Sequence, residues 1–561
     1  CSEYKGFIFA NYRNEDSGNN DVVYRLDNDG WSSILNNQTV RNLISTSSGI
    51  IICTNTPVFI RDENGGTIRN IWQFNDQFFK ANDAIFDEEG TLWIADKQFT
   101  VIVDNNSEQY SIVPNGPKDD LSWSMSLFFG ELWIAGGEVT ATFGRAFNNN
   151  GVYHLSNGTW VNHNRESEQL LKDFNFRDVI AVAVNQNRPE QTFVGSFGRG
   201  LIEYINDSIN RAWNADNIDE TSLHLTKQGS DTSFFGIGGL NFDVNDNLWI
   251  TNPGSDHPVS VLTHDGKWQD FSFGSSLNGN FTLGAVTVTY SSNQKWIIRP
   301  RSGILVFDDG GTPLNTSDDQ FNALTTSVGD GDLPSLEVFA ITEDLDGEIW
   351  VGTAKGPAVF FSPRNIFDGG NFDSRQILIE QDGNVQILLE TETVTAIAID
   401  GGNRKWMGTL NSGVFLFSPD GIDEIHHFTK ENSPLLSNDI QAIVLDHLTG
   451  EVYISTSLGL VSYRSDATAP PLEVDQLKVY PNPVRQDYFG PIAIDGVASN
   501  SSVKITDETG NIVNLLISEG GQAVWYGTDF NGDRVATGVY FIYATDRTGK
   551  KKASGKVLII K

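Results

Sequence analysis

The densest run of hard oxygen donors in the chain is FDDGGTPLNTSDDQF, residues 307–321, where Asp308, Asp309, Asp318 and Asp319 flank a loop carrying Asn315 and Thr316. Carboxylate, amide and hydroxyl oxygens are the ligands Ca²⁺ takes, so Ca²⁺ is the one cofactor these residues suggest, although the spacing is not that of an EF-hand. A solvated insertion loop is the preferred reading, and no metal or cofactor is firmly expected. The eight histidines are scattered. His426 and His427 are adjacent and so point to opposite faces of a strand. His257 and His264 lie in loop-rich sequence and are expected at the surface.

Catalytic signatures are missing: there is no HExxH, no G-x-S-x-G, no phosphate-binding glycine loop and no Cys–His pairing. Carboxylates are too frequent for a glycosidase-like pair to be singled out. The chain therefore reads as not an enzyme. Trp31, Trp160, Trp213 and Trp268 have the flat apolar faces that stack on sugars. Trp160 and Trp268 recur at one hairpin position, in SNGTWVNH and HDGKWQDF, which favours structural packing.

The elements that must carry these residues are strands. Glycine is abundant at 54 against only 2 Met, and aromatics reach 11%, a profile of pleated sheet and tight turns. With 72 acidic and 38 basic residues the formal charge is −34, a field that repels phosphate backbones and excludes nucleic acid as a partner. Cys53 sits in the apolar run GIIICTN and reads as a small buried hydrophobe. No stretch is long and apolar enough to be a membrane-spanning helix. Cys1-Ser2 reads either as the lipid-bearing start of a mature lipoprotein or, preferably, as a truncation point.

One pattern recurs. AIFDEEGTLWIAD (84–96), FDVNDNLWITNPG (242–254), ITEDLDGEIWVGTAKGPAVF (341–360), AIAIDGGNRKWMGTLNSGVFLF (396–417) and IVLDHLTGEVYISTSLGLVSY (443–463) each join an apolar strand, an Asp/Asn/Gly turn and an aromatic-bearing strand. Such turns supply the backbone geometry that short hairpins need. Phe9, Ile51, Trp93, Trp133, Phe193, Trp249, Trp296, Trp350, Trp406 and Tyr453 mark the second strands, at steps of 40 to 60 residues. That period, with several strands each, predicts β-propeller blades. Seven markers from Trp133 to Tyr453 make one ring, and the first three are left as the end of another. DLDGE at 344–348 is read as a blade turn, not as a calcium loop.

LPSLEVFAITEDLDGEIWVGTAKG (333–356) resembles the two-component regulator propeller repeat, and NSPLLSNDIQAIVLDHLTGEVYISTSLGLVSYRSDAT (432–468) is similar. Behind the last repeat, SDATAPPLEVDQ reads as a short linker. Beyond it VYPNPV, a V-K-I-x-D-x-x-G-N-x-V strand pair, W-x-G-x-D-x-x-G, G-V-Y and K-V-x-I-x-K occur in order. This order resembles the C-terminal sorting domain of the type IX secretion system of Bacteroidetes. The resemblance assigns Tyr480, Pro481, Asn482, Pro483, Gly510, Asp529, Gly532, Gly538, Tyr540, Lys556 and Lys561 to its sorting motif. The combination of propellers and tag resembles the PorZ family of type IX surface components.

The expected fold class is all-β: one seven-bladed propeller, part of another, and a C-terminal sandwich of about seven strands. The expected boundaries are 1–115 for an incomplete first propeller, 116–464 for the second, 465–476 for the linker and 477–561 for the sorting-type domain. The resemblance implies export, retention at the cell surface with the outer membrane, docking to an outer-membrane β-barrel, assistance to the sortase, and binding of anionic lipopolysaccharide. The alternative is exported cargo, an adhesin or glycan-processing enzyme whose tag is cleaved. A sensor ectodomain is disfavoured because no kinase or transmembrane helix follows.

Overall fold

The computed structural model describes residues 1–13, 21–55, 57–97, 99–228, 231–277, 282–381, 383–471, 473–474 and 476–560. The chain divides into two compact units, 1–116 and 117–561. The first holds three antiparallel four-stranded sheets in chain order, beginning at Ser2–Tyr4, Val40–Thr46 and Ala81–Phe86. Ile51, Cys53, Ile60, Ala84, Leu92 and Ile94 form the core between the second and third sheets. Burial pushes the Cys53 thiol up to about 12, as suits an inert packing residue.

Among the described residues of the second unit, seven sheets of three or more strands follow one another, with second strands Glu131–Ala135, Gln191–Gly198, Leu248–Thr251, Lys295–Arg299, Ile349–Thr353, Lys405–Thr409 and Glu451–Thr456. Each carries one aromatic marker of the repeat. Every sheet packs on the next, and the first strand of sheet one, Ser124–Phe128, packs against that of sheet seven, Ile440–Asp446. Ser455 Oγ donates to the Ser122 carbonyl at 3.0 Å across this closure. The all-β propeller class read from the sequence holds.

Turn chemistry explains why the aromatic lies six residues beyond the aspartate. Asp344 Oδ1 accepts the N–H groups of Asp346 and Glu348 at 2.9 and 3.0 Å, closing the turn. Its Oδ2 accepts the Trp350 indole N–H at 3.1 Å. The same geometry joins Asp87 to Trp93, Asp243 to Trp249 and Asp400 to Trp406, at 2.9, 3.1 and 3.3 Å. One carboxylate thus caps a hairpin and satisfies the only polar atom of a buried ring. Lys405, fully buried, reaches Asp344 Oδ2 of the preceding sheet at 3.0 Å and lies 5.0 Å from the Trp350 ring. Lys295 lies over Trp249 of its preceding sheet at 4.0 Å in the same way.

Residues 477–560 form a sandwich. Lys478–Tyr480, Ile492–Asp495 and Gln522–Trp525 make one sheet. Ile512–Ile517, Ser502–Thr506, Gly538–Thr545 and Lys552–Ile559 make the other. Ile492, Ile494, Val503, Ile505, Trp525, Ile542, Val557 and Ile559 fill the space between them.

Candidate functional site

The residues expected to form a sorting motif, Lys561 apart, gather at one end of the sandwich. Pro481 and Pro483 have no N–H, so the segment they flank cannot ladder along the terminal strand through its backbone alone. Asn482 substitutes its side chain: Nδ2 donates to the Lys556 carbonyl at 3.0 Å and Oδ1 accepts the Leu558 N–H at 3.1 Å. Val484 then resumes backbone pairing, donating to Leu558 O at 2.8 Å and accepting from Ile560 N at 2.9 Å. Tyr480 is exposed, and the Lys556 side chain points to solvent.

Gly510 and Gly532 close two turns of one design. Asp507 Oδ1 accepts the N–H groups of Thr509 and Asn511, both at 2.9 Å, and Asp529 Oδ1 accepts those of Asn531 and Asp533 at 2.8 and 3.0 Å. Both glycines sit at positive φ, +88° and +85°, where a side chain would be strained. Gly538 opens the strand that carries Tyr540, whose buried ring lies 5.5 Å from Trp525 and whose hydroxyl donates to Ala536 O at 3.0 Å. Thr506 pairs with Ile512 and Phe541, and Gly538 with Ile559, so both turns and the 481–484 segment lie at the same end. Lys561 lies outside the described residues.

The opposite end meets the propeller. Gly521 N–H donates to Thr468 O at 2.7 Å, and Ala469 N–H to His447 O, also at 2.7 Å. A Cβ on Gly520 would stand 2.1 Å from Thr468 O, and one on Gly401 would stand 1.9 Å from it. Only glycine permits that approach. Arg404, buried beside Asp400, extends to Ser465 and Asp466 at 3.0 and 2.7 Å. Residues 465–469 are therefore held against the sixth and seventh sheets and do not hang as a free spacer.

The outer face of the four-stranded sheet interleaves exposed apolar side chains with Lys504, Lys552 and Lys556. Leu515, Ile517, Val539, Phe541, Tyr543 and Leu558 all expose more than a third of their surface there.

The other sequence candidates have mainly local partners. Asp309 is buried with Oδ1 2.5 Å from Lys295 Nζ, Asp318 accepts from Thr312 and Asn315 side chains, and Asp308 caps Gly310. Burial, then the neighbouring Asp309 and Asp318, push Asp319 up to about 6. Among the described residues no three metal-ligating atoms converge in this loop. Trp213 is buried edge-on to Trp268, Trp160 packs on Leu132 and its neighbours, and Trp31 is exposed.

Sequence reasoning missed a buried charge cluster between sheets one and two. His154 Nε2 lies 2.6 Å from Glu131 Oε2, and its Nδ1 lies 2.6 Å from Asp207 Oδ1. His163 Nε2 meets the same Asp207 oxygen at 3.0 Å, its Nδ1 meets Glu168, and Trp133 stacks on both rings. Burial works against the charged form of His163, but Asp207 and Glu168 outweigh it and raise its pKa. Burial likewise opposes the Asp207 charge, yet the two imidazoles hold its pKa far below the usual range. No local spacing announces this cluster, because its members come from separate strands and turns.

No known family pattern matches the chain, and no curated protein matches it in sequence. Among solved structures it is similar to PorZ, a surface component of the type IX secretion system of Porphyromonas gingivalis, with TM-score 0.70 and 24% identity over 97% of this chain and 74% of that one. The extracellular domain of the hybrid two component system BT3049 of B. thetaiotaomicron aligns at TM-score 0.43 and 12% identity, over 98% of this chain and 72% of that one. The first likeness establishes a shared fold.

Proposed function

We propose that the chain is a noncatalytic, cell-surface component of a type IX secretion attachment complex. In this reading it docks an outer-membrane β-barrel through a C-terminal module that stays attached, and it assists the sortase. The observation that carries retention is the junction. Thr468 is packed against Gly401, Gly520 and Gly521, so the chain leaving the last sheet is clamped between the ring and the C-terminal module, which makes the module part of the folded body. The PorZ-like fold and the ordered motif of residues 479–560 support the secretion assignment, and the outer sheet face, where exposed aromatic and aliphatic side chains alternate with lysines, supplies a docking surface. Anionic lipopolysaccharide is the ligand class proposed. On a chain of net charge −34 it needs a local positive field, and Arg145, Arg177 and Arg301 gather around residues 141–147.

Intact mass of the protein recovered from its own outer membrane, with affinity purification in mild detergent, tests the reading. The expected result is a chain that keeps the residues after 476 and brings down a membrane barrel. A chain ending before Tyr480 and carrying a glycolipid adduct would make it cargo and overturn the proposal.

A further inference from the structure

Independently of the secretion reading, three side chains converge on the third sheet of the ring. His224 lies in the connection entering that sheet, His257 in the loop between its second and third strands, and Asp270 on its outer strand, Trp268–Phe271. The two loops are fixed by their backbones. His224 N–H donates to Asn252 Oδ1 at 2.8 Å, Asn252 N–H to Pro258 O at 2.8 Å, and His257 N–H to Ser255 Oγ at 3.0 Å. Asp270 Oδ2 then lies 2.8 Å from His224 Nε2 and 2.9 Å from His257 Nδ1, and the three atoms are within 4.8 Å of one another.

His224 makes a hydrogen bond to Asp270, whereas His257 Nδ1 is buried and, among the described residues, makes no hydrogen bond despite lying 2.9 Å from the Asp270 carboxylate. One divalent cation satisfies all three atoms together. We infer that His224, His257 and Asp270 form a binding site for a transition metal of the Zn²⁺ class. Two imidazole nitrogens and one carboxylate oxygen suit Zn²⁺ and disfavour Ca²⁺ or Mg²⁺, which take oxygen. Bond lengths of about 2.0–2.2 Å are reached by small side-chain adjustments that draw the three atoms onto one ion. Both histidine side chains are 40% exposed, leaving the remaining coordination position to water. The ion would pin the incoming connection to its sheet.

The test is calorimetric titration of Zn²⁺ into the tag-free, chelator-treated full chain, with the visible absorption of bound Co²⁺ as second readout. One equivalent is expected to bind and to raise the melting temperature. The near-isosteric Asp270→Asn and the half-exposed His257→Ala should each weaken binding by about tenfold or more, with metal-free melting unchanged. His426→Ala, outside the cluster, should bind as the parent does. Absence of a saturable equivalent, or binding that Asp270→Asn and His257→Ala both leave intact, would overturn the assignment.

Discussion

Between Pro481 and Pro483 the backbone cannot supply the N–H groups of a strand, and the Asn482 amide takes over both halves of a backbone pair with the 556–558 segment. Asn482→Ala removes one donor and one acceptor at a partly exposed site, so a loss of about 1 kcal/mol is expected. Hydrogen exchange should quicken most at Leu558, whose N–H the side chain caps; unchanged protection there would remove the role. A second residue-scale expectation concerns pH. The raised pKa of His163 means that its contribution is full below about pH 6.5 and fades as pH rises through the folded value. The lowered pKa of Asp207 means that its contribution is full above about pH 4 and is lost as pH falls toward the folded value. Asp207→Asn should therefore lower the melting temperature most between about pH 4 and 6.5, and less at pH 8. A pH-independent difference would contradict the assignment.

At the scale of the element, the Asp-capped turn and its tryptophan act as one unit. Asp344 caps a hairpin, receives the Trp350 indole and neutralises Lys405 from the next sheet. Asp344→Ala strands a fully buried ammonium, and a loss of about 3–5 kcal/mol is expected, read as a lower unfolding midpoint in urea. Glu348→Ala in the same turn should move the midpoint far less, because Glu348 serves the turn through its backbone, its N–H donating to Asp344 Oδ1 and its carbonyl accepting the Asp344 N–H. This unit was legible in the sequence: the aspartate and its ring are six residues apart, and their bonds form within one hairpin. The Lys405 partnership was not, since it joins residues 61 apart whose meeting depends on how two sheets stack.

At the scale of the whole molecule, the junction decides whether the C-terminal module behaves as part of the protein. Gly520 sits at φ +60° with no room for a Cβ against Thr468 O. Gly520→Val should undock the sandwich from the propeller without unfolding either, because both cores lie elsewhere. Limited proteolysis should then cut between residues 465 and 471, where the parent resists. Equal susceptibility of parent and variant would show that the junction protects nothing.

The sequence alone determined the strand-and-turn repeat, the all-β class and the position of each aromatic marker, because those depend on contacts within a hairpin and on side-chain alternation. The tertiary structure decided what lies between repeats. Closure joins Ser122 to Ser455, the junction joins Gly401 to Thr468 and Gly520, and the His154–His163 cluster is completed by Asp207 from the next sheet. His257 reads as a surface loop residue in the sequence, yet it faces Asp270 and His224 across folded loops. These contacts have no period and no fixed spacing; they arise where separate sheets come together, which local chemistry does not specify.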